Sequence, residues 1–152
     1  MKLAEALLER KNLQNKVEDL RERAAQNTLV QEGDEPSELP LALLGEMDEA
    51  IEQLGSFIQR INATNNVARL ENDLSISEAI VQRDMLELRR AGVNGVLNQA
   101  AIRQNRYGRS EIKFVTVVNV TELRKEADAL SQARRELDAQ IQALNWSVDL
   151  IE

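Results

Sequence analysis

The chain has 152 residues, 43% of them hydrophobic, which suits one domain with a sizeable core better than two. A net charge of −7 repels nucleic acid and anionic lipid, so neither a nucleic-acid partner nor a membrane partner is expected. There is no histidine and no cysteine, which excludes imidazole acid–base catalysis, Ser-His triads, thiol chemistry, disulfides and thiolate metal sites. Aromatic residues make up only 3%, so the core must be built from Leu, Ile, Val and Ala, a composition that favours helix-on-helix packing and an all-α class. The opening Met1-Lys2-Leu3-Ala4-Glu5 carries charge where a secretory leader needs an apolar run. No stretch approaches the roughly 18 uninterrupted apolar residues of a membrane span, and a cytoplasmic location is expected.

In chain order, Leu3, Ala6, Leu13, Val17, Leu20 and Ala24 fall at heptad-type positions, with Leu7 widening the stripe and Arg10 interrupting it. They predict a first helix over about 2–26. Gly33, Pro36 and Pro40 then break the helix among acidic residues, so 27–40 reads as an exposed connection, with a short strand at Thr28-Leu29-Val30-Gln31. A second helix over about 41–68 is predicted from Leu44, Met47, Ile51, Leu54, Ile58, Ile61, Asn65 and Ala68 in 4,3 steps. Asn65 lies on that seam, either as a buried amide that fixes register or as part of a wet, fraying helix end.

Ser75-Ile76-Ser77-Glu78 has capping-box form and predicts a third helix over about 76–104. Its inner row is Ala79, Leu86, Val93 and Ala100, flanked by Ile80, Val96 and Leu97 and interrupted by Arg83 and Arg90. Gly92 and Gly95 read as sites of close helix approach or a kink. Ile112-Lys113-Phe114-Val115-Thr116-Val117-Val118 is β-branched and partly alternating, so 112–118 reads as a strand, paired with 28–31 or with a second chain. Asn119 and Glu122 then cap a fourth helix over about 120–151. Its seam runs Leu123, Ala127, Leu130, Arg134, Leu137, Ile141, Leu144, Val148 and Ile151.

One constellation stands out for binding chemistry. Arg103, Arg106, Tyr107, Arg109, Ser110 and Lys113 form a basic cluster beside Gly108 and Glu111 in an otherwise acidic chain. Arginine forks there suit a phosphate or carboxylate, with Tyr107 and Ser110 adding hydrogen bonds. The alternative, which has the greater weight, is that these residues tie the turn to acidic groups on neighbouring helices. Glu46, Glu49 and Glu52, with Asp84 and Glu87, have the residue types of a Mg²⁺ or Mn²⁺ site, but the three glutamates fall on outward heptad positions and read as a solvated face. No metal and no cofactor is expected. Trp146 lies off the seam and is expected to cover the side of the bundle, with partner anchoring as the alternative.

The segments Leu29-Val30-Gln31-Glu32-Gly33, Arg106-Tyr107-Gly108-Arg109-Ser110-Glu111-Ile112 and Asn145-Trp146 resemble the septicolysin-like family of small bacterial proteins, and the resemblance extends over nearly the whole length, including Lys2-Leu3-Ala4-Glu5-Ala6-Leu7 and Arg60-Ile61-Asn62-x-Thr64-Asn65. That resemblance implies a helical bacterial protein and brings no catalytic residues. A membrane-active, cytolysin-like role is the function its name suggests, against which stands the lack of a secretion signal or a strongly apolar surface helix.

The expected fold is mainly all-α: an elongated antiparallel four-helix bundle or coiled coil with a short two-stranded β element, in one helical domain over 1–152. Full-length seams without a convergent catalytic set point to a non-enzymatic oligomeric interaction or scaffold protein. A homo-oligomer is the expected assembly, with a separate protein partner also open. The alternative is a small-anion or nucleotide-binding protein, extending to a metal-dependent hydrolase, that uses the cluster from Arg103 to Lys113.

Overall fold

The computed structural model describes residues 1–102 and 113–152. Among the described residues there are four helices, α1 (Leu3–Gln26), α2 (Pro40–Val67), α3 (Ile76–Ala100) and α4 (Val120–Ser147). The chain divides into two compact units, one formed by Met1–Ser77 with Gln142–Glu152 and the other by Glu78–Ile141.

In the first unit, α1 follows the sequence pattern. Leu3, Ala6, Leu13, Leu20 and Ala24 are buried, and Val17 is half-buried. Arg10 interrupts the seam as expected, and its buried Nε has no hydrogen-bond partner among the described residues. Leu20 and Ala24 pack with Leu43 and Met47, so the end of α1 lies against the start of α2 in an antiparallel hairpin. Each fully buried leucine contributes about 1.5–3 kcal/mol of transfer free energy to that contact.

The seam of α2 is rotated from the expected one. Met47, Leu54, Ile61 and Ala68 lie on it, but Leu43, Ala50 and Thr64 are buried where Leu44, Ile51 and Asn65 were expected, and Leu44 and Ile51 are exposed. The small Ala50 and Thr64 occupy the close-packed row and the bulkier branched residues border it, so ranking positions by side-chain hydrophobicity selects the wrong neighbour.

The connection between α1 and α2 is held by polar groups. Arg23 pairs with Asp19 and Glu38, the Asn27 amide donates to the Arg23 carbonyl at 2.9 Å, and Asn27 Oδ1 accepts from Glu38 N–H at 3.2 Å. Gly33, at φ +89°, sits at the third position of a turn closed by Asp34 N–H donating to the Gln31 carbonyl, where a left-handed residue is required. Between α2 and α3, Asp73 takes φ 66°, and Asn72 Oδ1 accepts from Leu74 N–H.

The fourth helix ends at Ser147, four residues before the expected Ile151. Leu3 N–H donates to the Val148 carbonyl at 3.0 Å and Leu150 N–H to the Met1 carbonyl at 2.9 Å, which forms an antiparallel bridge between Lys2 and Asp149. Ile151 N–H donates to Thr64 Oγ1 at 3.0 Å, and Arg60 Nε donates to the Ile151 carbonyl at 3.0 Å. The apolar spacing that continues through Val148 and Ile151 therefore serves an extended segment, whose backbone groups are paired across to other elements.

In the second unit, Asn119 caps α4 as expected, its Oδ1 accepting from Glu122 N–H at 3.2 Å. Ala79 and Val93 on α3 and Ala127 and Ile141 on α4 are buried, and Leu86, Leu123, Leu130 and Leu137 are half-buried. The two helices run antiparallel, because Arg83 pairs with Asp138 and Arg89 with Glu126.

The expected two-stranded β element is corrected. Residues 28–31 and 113–118 form no strand, and Ile112 lies outside the described residues. Phe114, Val115 and Val117 are exposed. β-branched composition records a preference for a pleated, packed surface, and without a paired ladder on a neighbouring segment that preference yields no strand. Among the described residues the isolated bridges join Lys2 with Asp149 and Arg69 with Ser75.

Candidate functional site

Of the expected anion site, Arg103, Arg106, Tyr107, Arg109 and Ser110 lie outside the described residues, and Lys113 is exposed. Glu46, Glu49 and Glu52 are exposed, and Glu87 is engaged with arginines. Trp146, expected to cover the bundle side, is left mostly in solvent, while its neighbour Asn145 is buried. A shallow depression along Lys125, Asp128, Ser131, Gln132 and Arg135 is the polar outer face of α4.

The feature that sets the second unit apart is the distribution of charge around α3. Its row facing α4 carries Arg83, Glu87 and Arg90 between the apolar Ala79, Leu86 and Val93. Arg83 Nη1 lies 2.9 Å from Asp138 Oδ1, and Arg83 also reaches Asp84 Oδ1 at 3.1 Å. Arg90 grips Glu87 through two hydrogen bonds of 3.0 and 2.6 Å, and Arg134 Nε sits 3.0 Å from Glu87 Oε2 in ion-pair contact without hydrogen-bond alignment. Arg89 donates Nε and Nη2 to Glu126 Oε1 at 2.9 and 2.7 Å.

These contacts shift the groups concerned. Burial opposes the Arg83 charge, but hydrogen bonds to Asp138 and Asp84, reinforced by their negative charges, outweigh it and the guanidinium binds its proton more tightly than usual. The hydrogen bonds from Arg90, with the charges of Arg90 and Arg134, hold the Glu87 carboxyl below the ordinary glutamate range.

The opposite face of α3 carries an apolar stripe, with the exposed Asp84 and Arg89 beside it. Val81, Met85, Leu88 and Val96 are 58%, 52%, 66% and 43% exposed. Gly92 and Gly95 lie on the same face, and a Cβ at either would meet nothing within 4 Å, so neither glycine serves the expected close approach within this chain. An ordinary surface helix has one apolar row, turned inward; α3 has the inward row of Ala79, Leu86 and Val93 and a second, exposed one. The signal was present in the sequence, since Val81, Met85, Leu88, Gly92 and Gly95 are spaced 4,3,4,3, but two glycines and the competing Ala79 row conceal it.

A family of unknown function, DUF6847, matches residues 10–150. The chain belongs to the DUF6847 family. This corrects the septicolysin-like resemblance: the family model that covers almost the whole chain is that of DUF6847, and nothing indicates a septicolysin-like family. A solved neighbour, described as the crystal structure of a functionally unknown conserved protein from Corynebacterium diphtheriae, superimposes with a TM-score of 0.92 at 37% identity, covering 99% of each chain. No curated protein matches. The family thus fixes the fold and leaves the activity to be argued from surfaces.

Proposed function

We propose that this DUF6847 member is a non-catalytic interaction protein that uses the outward face of α3 to bind an apolar helical surface. The observation carrying this reading is the second apolar stripe of α3, with Val81, Met85, Leu88 and Val96 turned to solvent while Arg83 and Glu87 reach Asp138 and Arg134 on α4. Leaving such a stripe in water forfeits its transfer free energy, about 25 cal/mol per Å² of apolar area, which docking recovers. A seam of this kind recognises shape and apolar surface, and it holds no group able to transfer a proton or attack a bond.

The absence of cysteine makes a clean test available. Val81→Cys and Met85→Cys are labelled with a membrane-permeant maleimide in intact cells, with Gln132→Cys on the polar face of α4 as the accessible control. Labelling of the two α3 positions is expected to be several-fold slower than that of the control, with all three equal after unfolding in denaturant. Equal rates in cells would show an uncovered face and overturn the reading.

A further inference from the structure

We infer that the partner of this face is a second copy of the chain, with the two α3 helices packed in parallel about a twofold axis. The inference rests on the interaction reading above and names its occupant. Placing Val81, Leu88 and Gly95 at d positions and Met85 and Gly92 at a positions puts Asp84 at g and Arg89 at e, on opposite flanks of the stripe. In a parallel pair, a g residue of one helix faces the e residue five positions later on the other. Asp84 of each copy then faces Arg89 of its mate, twice by symmetry. An antiparallel pairing centred on the same stripe faces g with g and e with e, which gives neither Asp84 nor Arg89 an opposite charge.

The hydrogen-bond pattern leaves atoms available for this contact. Asp84 receives both Arg83 bonds on Oδ1 and Arg89 gives Nε and Nη2 to Glu126, so among the described residues Asp84 Oδ2 and Arg89 Nη1 have no hydrogen-bond partner. Both side chains are well exposed, at 56% and 66%. α3 as a whole is also neutral in a chain of net charge −7. Glu78, Asp84 and Glu87 are balanced by Arg83, Arg89 and Arg90, so two copies meet here without the repulsion that the chain's overall charge imposes. Gly92 and Gly95 add no side chains at their end of the stripe, which lets the two backbones approach closely there.

The test uses the purified full-length chain in sedimentation equilibrium at tens of micromolar, with disulfide trapping of Val81→Cys and Leu88→Cys under mild oxidation. A dimer is expected, with each single-cysteine variant linking to itself, since both positions lie in like-to-like layers of a parallel pair. Asp84→Arg and Arg89→Asp should each weaken the dimer by about tenfold, because two exposed ion pairs become like-charge contacts. The double exchange Asp84→Arg with Arg89→Asp should restore it, which separates a charge effect from misfolding. A dimer that fails to cross-link at Val81→Cys, or that the double exchange does not restore, overturns the parallel pairing. A monomer at this concentration overturns the second copy as partner. If the α3 positions are nevertheless protected in cells, a different protein covers them and the interaction reading stands; if they are unprotected, both fall.

Discussion

In the α1–α2 hairpin the packed residues are Leu20, Ala24, Leu43 and Met47, and the charged Glu46, Glu49 and Glu52 face solvent. In the α3–α4 hairpin Arg83, Glu87, Arg134 and Asp138 bridge the two helices, while Val81, Met85 and Leu88 face solvent. The first arrangement satisfies itself. The second adds partly exposed ion pairs, each worth on the order of 1 kcal/mol or less, to a buried row of Ala79, Val93, Ala127 and Ile141, and leaves a further apolar stripe in solvent. What the contrast teaches is that a full apolar seam on a helix does not say which side of that helix the chain itself will cover.

The most direct way to break the comparison is to shorten one leucine in each hairpin. Leu20 is 1% exposed, so Leu20→Ala should cost about 2–5 kcal/mol in urea unfolding. Leu88 is exposed, so Leu88→Ala should fall within about 0.5 kcal/mol when unfolding is followed at high dilution, where any dimer is dissociated. A large loss from Leu88→Ala at dilution would mean that α3's outer face is packed within the chain.

A polar pair sharpens the same contrast inside the first unit. Thr64 Oγ1 accepts from Ile151 N–H and donates to the Arg60 carbonyl at 2.8 Å, and the residue is 1% exposed. Thr64→Val keeps the shape and leaves the Ile151 N–H without its acceptor, at an expected cost of about 1–3 kcal/mol in thermal or urea unfolding. Asn65→Ala, one residue along, should stay within about 0.5 kcal/mol because Asn65 is outside the closest-packed row.

Those two positions also mark how far the sequence could be read. The 4,3 spacing located the helices, the α1 seam and the inner row of α3, because repeated apolar spacing reports a face directly. It assigned the α2 seam to Leu44, Ile51 and Asn65 instead of Leu43, Ala50 and Thr64, since small residues at a close contact score poorly as hydrophobes. It carried α4 four residues too far, because Val148 and Ile151 keep helical spacing while the Val148 backbone pairs with Leu3 and the Ile151 backbone with Thr64 and Arg60. Such pairings join positions more than eighty residues apart and leave no local trace. The basic cluster is the rarest composition in the chain, whereas the α3 stripe consists of common residues whose 4,3 spacing is masked by two glycines and by the competing Ala79 row.

The smallest expected effect concerns the ion pairs that accompany the apolar contacts of the second unit. Hydrogen bonds from Arg90, with the charges of Arg90 and Arg134, depress the Glu87 pKa in the folded chain. A depressed carboxylate contributes stability that is fully present above its unfolded value and is lost as pH falls through the folded one. Comparing Tm for the parent and Glu87→Gln across an acid titration should therefore give a modest deficit for the variant at neutral pH that closes below the ordinary glutamate range. Glu38, depressed chiefly by its hydrogen bonds from Arg23, gives the matching control in the first unit. Both carboxylates are half-exposed, so added salt should shrink both deficits. If the Glu87 deficit persisted at low pH, the side chain would be acting through packing, and the α3–α4 hairpin would be held by contacts other than the charges that distinguish it.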